Sequence, residues 1–286
     1  MKVLVTGATG FVASHLIPRL AAEGHDVLAL GYDADRIPSG DRIEPVVVDL
    51  RERLDDEALP EFEAVVHLAQ ANVPFPEGAA DLFRVNATST VELLAAARSR
   101  SARRFVYASS GSVYGFGDGP VAEDDERRAD DFYAVTKRAG ELAVAGYRDL
   151  FSTTVLRLFA PYGPGQRNRL IPGLIERVRN GDAVTLRAGG RPRMTPVFVD
   201  DVLAVILRAL ESGEHHLMNV AGDETVSIRE LAELIGAAVG REPRFEDTGG
   251  AVPGDLIGRN ERMHELLAGR PLIPLAEGLA RAARER

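Results

Sequence analysis

The chain alternates short, unbroken apolar runs with longer stretches in which apolar residues recur every three or four positions. Residues 2–5 (KVLV), 26–30 (DVLAL), 45–50 (PVVVDL), 64–68 (AVVHL) and 104–108 (RFVYA) belong to the first kind. They are rich in β-branched residues and bounded by polar or glycine positions, which predicts buried strands. The second kind begins with Phe11, Val12, Leu16 and Leu20 and recurs at residues 81–100, where Leu82, Val85, Leu93, Leu94 and Ala97 keep helical spacing. Strand and helix therefore alternate. That order predicts an α/β fold, a Rossmann-type doubly wound parallel sheet whose strands, the third included, are covered on both faces. Amphipathic helices are predicted at residues 169–180 and 228–239, with residues 200–210 returning to the sheet.

Residues 6–10 (TGATG) join the first strand to the first helix. Glycines in such a turn let backbone approach a pyrophosphate, and the free N–H groups and positive dipole end of the helix face it. The spacing Gly7, Gly10, Ala13 is not the GxGxxG fingerprint. Its place after a strand and before an amphipathic helix nevertheless points to a nucleotide site. An acid near the end of the second strand would hydrogen-bond the adenosine ribose. Asp33 is the candidate, with Arg36 as a candidate phosphate partner, and both also fit an ordinary solvated loop. The predicted division is a dinucleotide-binding domain of residues 1–160 and 197–222, and a smaller, discontinuous α+β substrate domain of residues 161–196 and 223–286.

Composition narrows the function classes. At 286 residues, 45% hydrophobic and 27% charged, the chain can bury a large core. Without cysteine it has neither disulfides nor thiolate metal sites. Its six histidines show no metal-ligand spacing, and the adjacent His215 and His216 would face opposite sides of a strand, so no metal is expected. No apolar run approaches the ~20 residues of a membrane span, and the start has no cleavable signal pattern, so a cytoplasmic protein is expected. A net charge of -9 argues against nucleic acid or an anionic membrane as partner.

The chemistry gathers in the middle of the chain. The fifth strand runs into residues 109–115 (SSGSVYG), which puts hydroxyls at a strand's carboxyl end, where this fold binds ligands. Tyr133 and Lys137 are four residues apart on a predicted helix, which places ammonium and phenol on one face. A tyrosine in water titrates near ~10. A neighbouring cation and a positively charged nicotinamide would stabilise its phenolate, and reaching ~7 takes ~4 kcal/mol. His67, inside the fourth strand, reads as a satisfied core residue. Asn86, inside a helical stretch, fits either a kink or a polar ligand.

At these residues the chain resembles the extended short-chain dehydrogenase/reductases, specifically the NAD-dependent epimerase/dehydratase group acting on nucleotide sugars. TGATGFVASHL is similar to the family's TGxxGFxG turn, with Ala13 in the last glycine position. NATSTVELLAAA from Asn86, the pair Tyr133 and Lys137, RLFAPYGPGQ at 157–166, VFVDDV at 197–202 and NVAGDETVSIRELAELI at 219–235 follow the family order. The resemblance implies cofactor contacts at Gly7, Thr9, Gly10, Phe11, Val12, Asp33, Arg36, Asp49, Leu50, Leu68, Ala69, Gln70, Asn86, Ala108, Tyr133, Lys137, Phe159 and Ala160. It implies Ser110, Tyr133 and Lys137 as catalytic residues. It places substrate at Ser110, Gly111, Ser112, Tyr133, Ala160, Arg169 and Arg193. The family's dehydratases carry Asp-Glu after the catalytic hydroxyl residue, where this chain has Gly111 and Ser112, so dehydration is not expected. Ala160 stands where the family has Asn, and Met194-Thr195 replace its Arg-Asp, with Arg193 shifted one place. Arg167, Arg169, Arg191 and Arg193 form a cluster that fits either an anionic nucleotide or solvent.

The resemblance implies an NAD-dependent nucleotide-sugar epimerase working through a 4-keto intermediate, with NADP left open as cofactor. A one-way 4-ketosugar reductase would use the same residues. A catalytically silent nicotinamide-binding regulator on the same fold would have no need of the Tyr133/Lys137 pair. A homodimer is implied through the helices at residues 81–100 and 132–149.

Overall fold

The computed structural model describes residues 1–126, 128–251 and 254–284. A seven-stranded sheet has the order β10-β7-β5-β4-β1-β2-β3, from β1 (Lys2–Thr6), β2 (Asp26–Gly31), β3 (Ile43–Val47), β4 (Ala64–His67), β5 (Arg104–Ser110), β7 (Ser152–Leu158) and β10 (His216–Val220). β1 lies parallel to β2 and β4, β2 to β3, and β4 to β5. From β1 the chain winds one way through β2 and β3 and then back through β4 and β5. The reversal leaves a crevice between the carboxyl ends of β1 and β4, where doubly wound sheets take their ligands.

The chain divides into two compact units, one of residues 1–113, 127–157 and 203–218, the other of 114–126, 158–202 and 219–286. In the first, α1 (Phe11–Ala22), α2 (Ala79–Phe83), α3 (Ser89–Ser99) and α4 (Phe132–Ala145) accompany the sheet. Leu4, Leu28, Val65, Leu93, Leu94 and Phe105 are buried together in its core. Burial at about 25 cal/mol per Å² is what holds such short strands in place.

The second unit pairs β8 (Ala183–Leu186) with β12 (Arg244–Asp247), β9 (Arg193–Met194) with β11 (Val226–Ser227), and β6 (Pro120–Val121) with β13 (Ile257–Gly258). It also holds α5 (Leu170–Asn180), α7 (Ile228–Val239), α8 (Glu261–Leu266) and α9 (Leu275–Arg284). α7 opens on a capping box in which Ser227 and Glu230 satisfy each other's backbone donors.

Three expectations are corrected. The third strand is not covered on both faces: it ends the sheet, three of its five residues are exposed, and it stops at Val47, short of Asp49. An edge strand has no neighbour beyond it to shield it. Residues 81–100 are not one helix, because a π turn at Arg84–Thr88 separates α2 from α3. Residues 200–210 do not form a strand. They lie in α6 (Val199–Ser212), whose apolar positions follow a helical period, and the chain rejoins the sheet only at β10.

Candidate active site

β1 ends in the turn that carries Gly7, Thr9 and Gly10. Gly7 has φ +70°, and a Cβ there would stand 2.8 Å from both Cα and N of Ala69, the residue that follows β4 and Leu68. Two backbones thus meet across the switch point at a distance only glycine allows. Gly10 N–H donates to Gly7 O at 2.8 Å and closes the turn, and α1 begins at Phe11 with no side-chain cap and no acid in its first turn. An uncapped helix start beside a glycine cradle suits a pyrophosphate, and the residues present fit a bound dinucleotide. Phe11 and Val12 are half-buried in that first turn, while Leu50, Ala69 and Ala108 are buried.

At the end of β2, Asp33 and Arg36 form a loose ion pair at 4.0 Å. Asp49 accepts from Arg51 in a fork, with Nε at 3.0 Å and Nη2 at 2.6 Å, and these hydrogen bonds hold its carboxyl below the usual range. The same guanidinium lies 5.4 Å from the centroid of Tyr32. Tyr32 and Arg51 therefore belong to this rim, although the sequence drew attention to neither.

β5 delivers Ser110 to the carboxyl end of the sheet. Ser112 donates to Ser110 Oγ twice, from its backbone N–H at 3.1 Å and its hydroxyl at 2.9 Å. With two donors on its oxygen, Ser110 keeps its own hydrogen for a further acceptor. Gly111, between them, is buried.

α4 starts where Asp131 accepts from Ala134 N–H at 2.7 Å, and this cap fixes the turn that bears Tyr133. Tyr133 donates through Oη to Gln70 Oε1 at 2.7 Å. One turn on, Lys137 is 1% exposed, with Nζ 4.6 Å from the Tyr107 ring centroid. Burial drives the Lys137 pKa down to about 7, against the pull of Glu141. A further turn on, Glu141 accepts from Ser109 Oγ at 2.6 Å, Arg157 Nε at 2.9 Å, Arg157 Nη2 at 2.8 Å and Arg138 Nη1 at 3.0 Å. Burial would raise the Glu141 carboxyl, but Arg157 and Ser109 hold it below its ordinary value.

Behind this row, His67 is fully buried and its pKa falls to about 3, from desolvation first and then the charge of Lys137. Thr90 gives its hydroxyl hydrogen to Asn86 O, so its oxygen accepts from His67 Nε2 at 3.0 Å. Nδ1 of the neutral ring is then an acceptor, and the Thr6 hydroxyl, which also accepts from Ala69 N–H, donates to it at 2.7 Å. His67 is a neutral core residue. Asn86 lies in the π turn, and its amide is used inside the protein: Oδ1 accepts from Ala71 N–H at 2.7 Å, and Nδ2 donates to Ala71 O and Thr136 Oγ1.

In the second unit, Phe159 is buried in the core beside Gly258, where a Cβ would come within 2.8 Å of its ring. Ala160 has φ +41°, a conformation in which Asn is enriched and Ala is not. Arg167 and Arg169 are exposed. Arg191 and Arg193 are drawn onto one buried carboxylate: Asp255 accepts from Arg191 Nη2 and Arg193 Nη2, each at 2.7 Å. The arginine cluster is thus split, and its second half is an ion triad that composition alone does not reveal.

A glycine turn at the switch point of a parallel sheet, beside strands that end in hydroxyls, defines a dinucleotide-binding α/β protein. The model of the NAD dependent epimerase/dehydratase family matches residues 3–221, and the chain belongs to that family. It is 33% identical to the dTDP-4-dehydro-6-deoxy-D-allose reductase of Streptomyces bikiniensis over 99% of this chain and 95% of that protein. It is 34% identical to the UDP-glucose 4-epimerase of Mycolicibacterium smegmatis (strain ATCC 700084 / mc(2)155), over 98% of this chain and 97% of that one. Among solved structures, MoeE5 in complex with UDP-glucuronic acid and NAD superposes with a TM-score of 0.89 at 27% identity, covering 99% of this chain and 98% of that chain.

Proposed function

We propose that the protein is an NAD-dependent nucleotide-sugar 4-epimerase, in which the first compact unit holds the dinucleotide. The observation that carries this reading is the burial of Lys137 one turn behind Tyr133, on a helix that packs against β5. Burial brings the Lys137 amine near the midpoint of its titration at neutral pH, and its charged form, on the helical face it shares with Tyr133, favours the phenolate. Gly7, Thr9, Gly10 and the first turn of α1 would hold the pyrophosphate, with Asp33, Arg36, Asp49 and Leu50 toward the adenosine end. NAD, when bound, supplies reversible two-electron oxidation at the sugar carbon. Tyr133 takes the proton of the C4 hydroxyl and later returns it. Ser110, whose oxygen is already occupied by Ser112, donates its hydrogen to the developing ketone. Reduction on the opposite face of the ketone inverts C4.

The reductase reading uses the same residues, and the similarity to a ketosugar reductase favours keeping it. A panel of UDP- and dTDP-sugars incubated with the protein, with NMR identification of the products, separates the two. Epimerisation gives the C4 epimer with no net change in nicotinamide redox state. Stoichiometric loss of reduced cofactor with a ketosugar would establish the reductase, and turnover of no sugar would favour the silent regulator.

The same reading includes a cytoplasmic homodimer. Val91 on α3 and Val135 and Leu142 on α4 are 47%, 42% and 59% exposed, on two helices that pack together. An apolar strip of this kind fits a four-helix interface with a second copy. Among the described residues, no helix is long and apolar enough to cross a membrane.

A further inference from the structure

Gln70 Oε1 accepts the Tyr133 hydroxyl at 2.7 Å, and the frame around this pair is built rather than loose. The backbone of Ala71, next to Gln70, is held at both N–H and C=O by the Asn86 side chain. Asn86 also donates to Thr136 Oγ1, which in turn donates to the carbonyl of Tyr133 at 2.7 Å. A buried amide thus ties the backbone that carries Gln70 to the helical turn that carries Tyr133. A second clamp lies beside it, where Phe75 stacks on Phe132 with ring centroids 4.9 Å apart. The titratable groups on the elements around the phenol include Lys137 one turn on, Tyr107 on β5, whose hydroxyl feels the charge of Tyr133, and Asp131 at the helix cap. Gln70 is uncharged, and its contact with Oη is a direct hydrogen bond.

We propose that Gln70 is a further catalytic residue, hydrogen-bonded to Tyr133 Oη in both of its protonation states. A glutamine amide presents an acceptor on one side and two donors on the other. While Tyr133 is the phenol, its hydrogen points to Oε1, as observed. When Tyr133 is the phenolate, a half-turn of the terminal amide brings Nε2–H to the anionic oxygen. The proton itself passes between Oη and the substrate hydroxyl, and Gln70 neither takes nor gives one. A hydrogen bond to an ion is roughly twice as strong as one between neutral groups. The donating arrangement therefore outweighs the accepting one, and Gln70 favours the phenolate.

The inference rests on Tyr133 as the base, and its test is read without turnover. In the full-length chain, the phenol of Tyr133 is titrated by ultraviolet difference between each protein and the same protein carrying Tyr133→Phe. Gln70→Leu, which can neither donate nor accept, moves the titration upward by about half a unit to one unit, and Gln70→Glu, an anion that cannot donate, moves it further. At neutral pH the Leu variant loses about three- to tenfold in kcat. Gln70 is exposed, so both variants keep the fold, which a thermal melt verifies. A titration that stays in place or falls in Gln70→Leu overturns the proposal. Undiminished turnover in Tyr133→Phe would instead remove the base assignment, whatever the Gln70 titrations give.

Discussion

Glu141 and Arg157 form a forked ion pair, Oε1 to Nε at 2.9 Å and Oε2 to Nη2 at 2.8 Å, in which the carboxylate side chain is 3% exposed and the guanidinium 0%. The pair joins α4 to β7 one helical turn beyond Lys137. Removing the carboxylate takes away the charge that offsets a buried guanidinium, which costs about 3–5 kcal/mol. Glu141→Gln should therefore lower unfolding stability by about 3 kcal/mol, read as a shift in the denaturant midpoint. An unchanged midpoint would mean that Arg157 finds another partner.

His67 makes stability depend on pH. Its folded pKa of about 3 lies below the unfolded value of 6.5, so below pH 6.5 the unfolded chain binds a proton that the folded chain refuses. Stability is therefore full above 6.5 and is lost as pH falls toward 3, at up to about 1.4 kcal/mol per pH unit from this group. Denaturant midpoints between pH 7 and pH 4 should show that slope, and His67→Asn should flatten it by one proton's worth.

In the proposed function the cofactor cradle depends on Gly7. With φ +70° and a Cβ position 2.8 Å from the backbone of Ala69, Gly7→Ala forces the turn and the β4 loop apart. The strain amounts to about 1–3 kcal/mol. Calorimetric titration with NAD should show affinity reduced at least about tenfold, since backbone donors must stay aimed at the pyrophosphate. Unaltered affinity would place the pyrophosphate elsewhere.

Much of this is legible in the amino-acid sequence. The alternation of KVLV, DVLAL, AVVHL and RFVYA with helical periods gives the winding of the sheet, and TGATG and the Tyr133/Lys137 spacing mark the two places that the proposed function uses. What escaped has a common cause. Val47 reads as buried yet is 58% exposed, because an apolar run does not tell whether its strand is central or at the edge. The 81–100 period hides a π turn because one extra residue per turn barely disturbs the pattern, yet that turn sets Asn86 against Ala71. Glu141 with Arg157, and Asp255 with Arg191 and Arg193, are charges far apart in sequence that only the fold brings together. A charged residue on a helix is ordinarily a surface residue, so nothing local marked Glu141 as buried.

The exposed strip on α3 and α4 tests the assembly. Leu142→Glu, at the most exposed of its three positions, should convert the proposed dimer to monomer in sedimentation velocity without lowering the melting temperature of the folded chain by more than the interface contributes. A wild-type protein that sediments as a monomer at micromolar concentration would leave the strip without that partner.

The central claim is that the Tyr133 phenolate takes the proton from the sugar hydroxyl. Its most direct measurement is single-turnover oxidation of a nucleotide sugar by wild type and Tyr133→Phe, followed by the nicotinamide absorbance, with NAD binding measured in parallel. The account predicts a loss of about a hundredfold or more in the rate, in line with what a positioned general base contributes, with NAD affinity retained. A Tyr133→Phe protein that oxidises the sugar at the wild-type rate would contradict it.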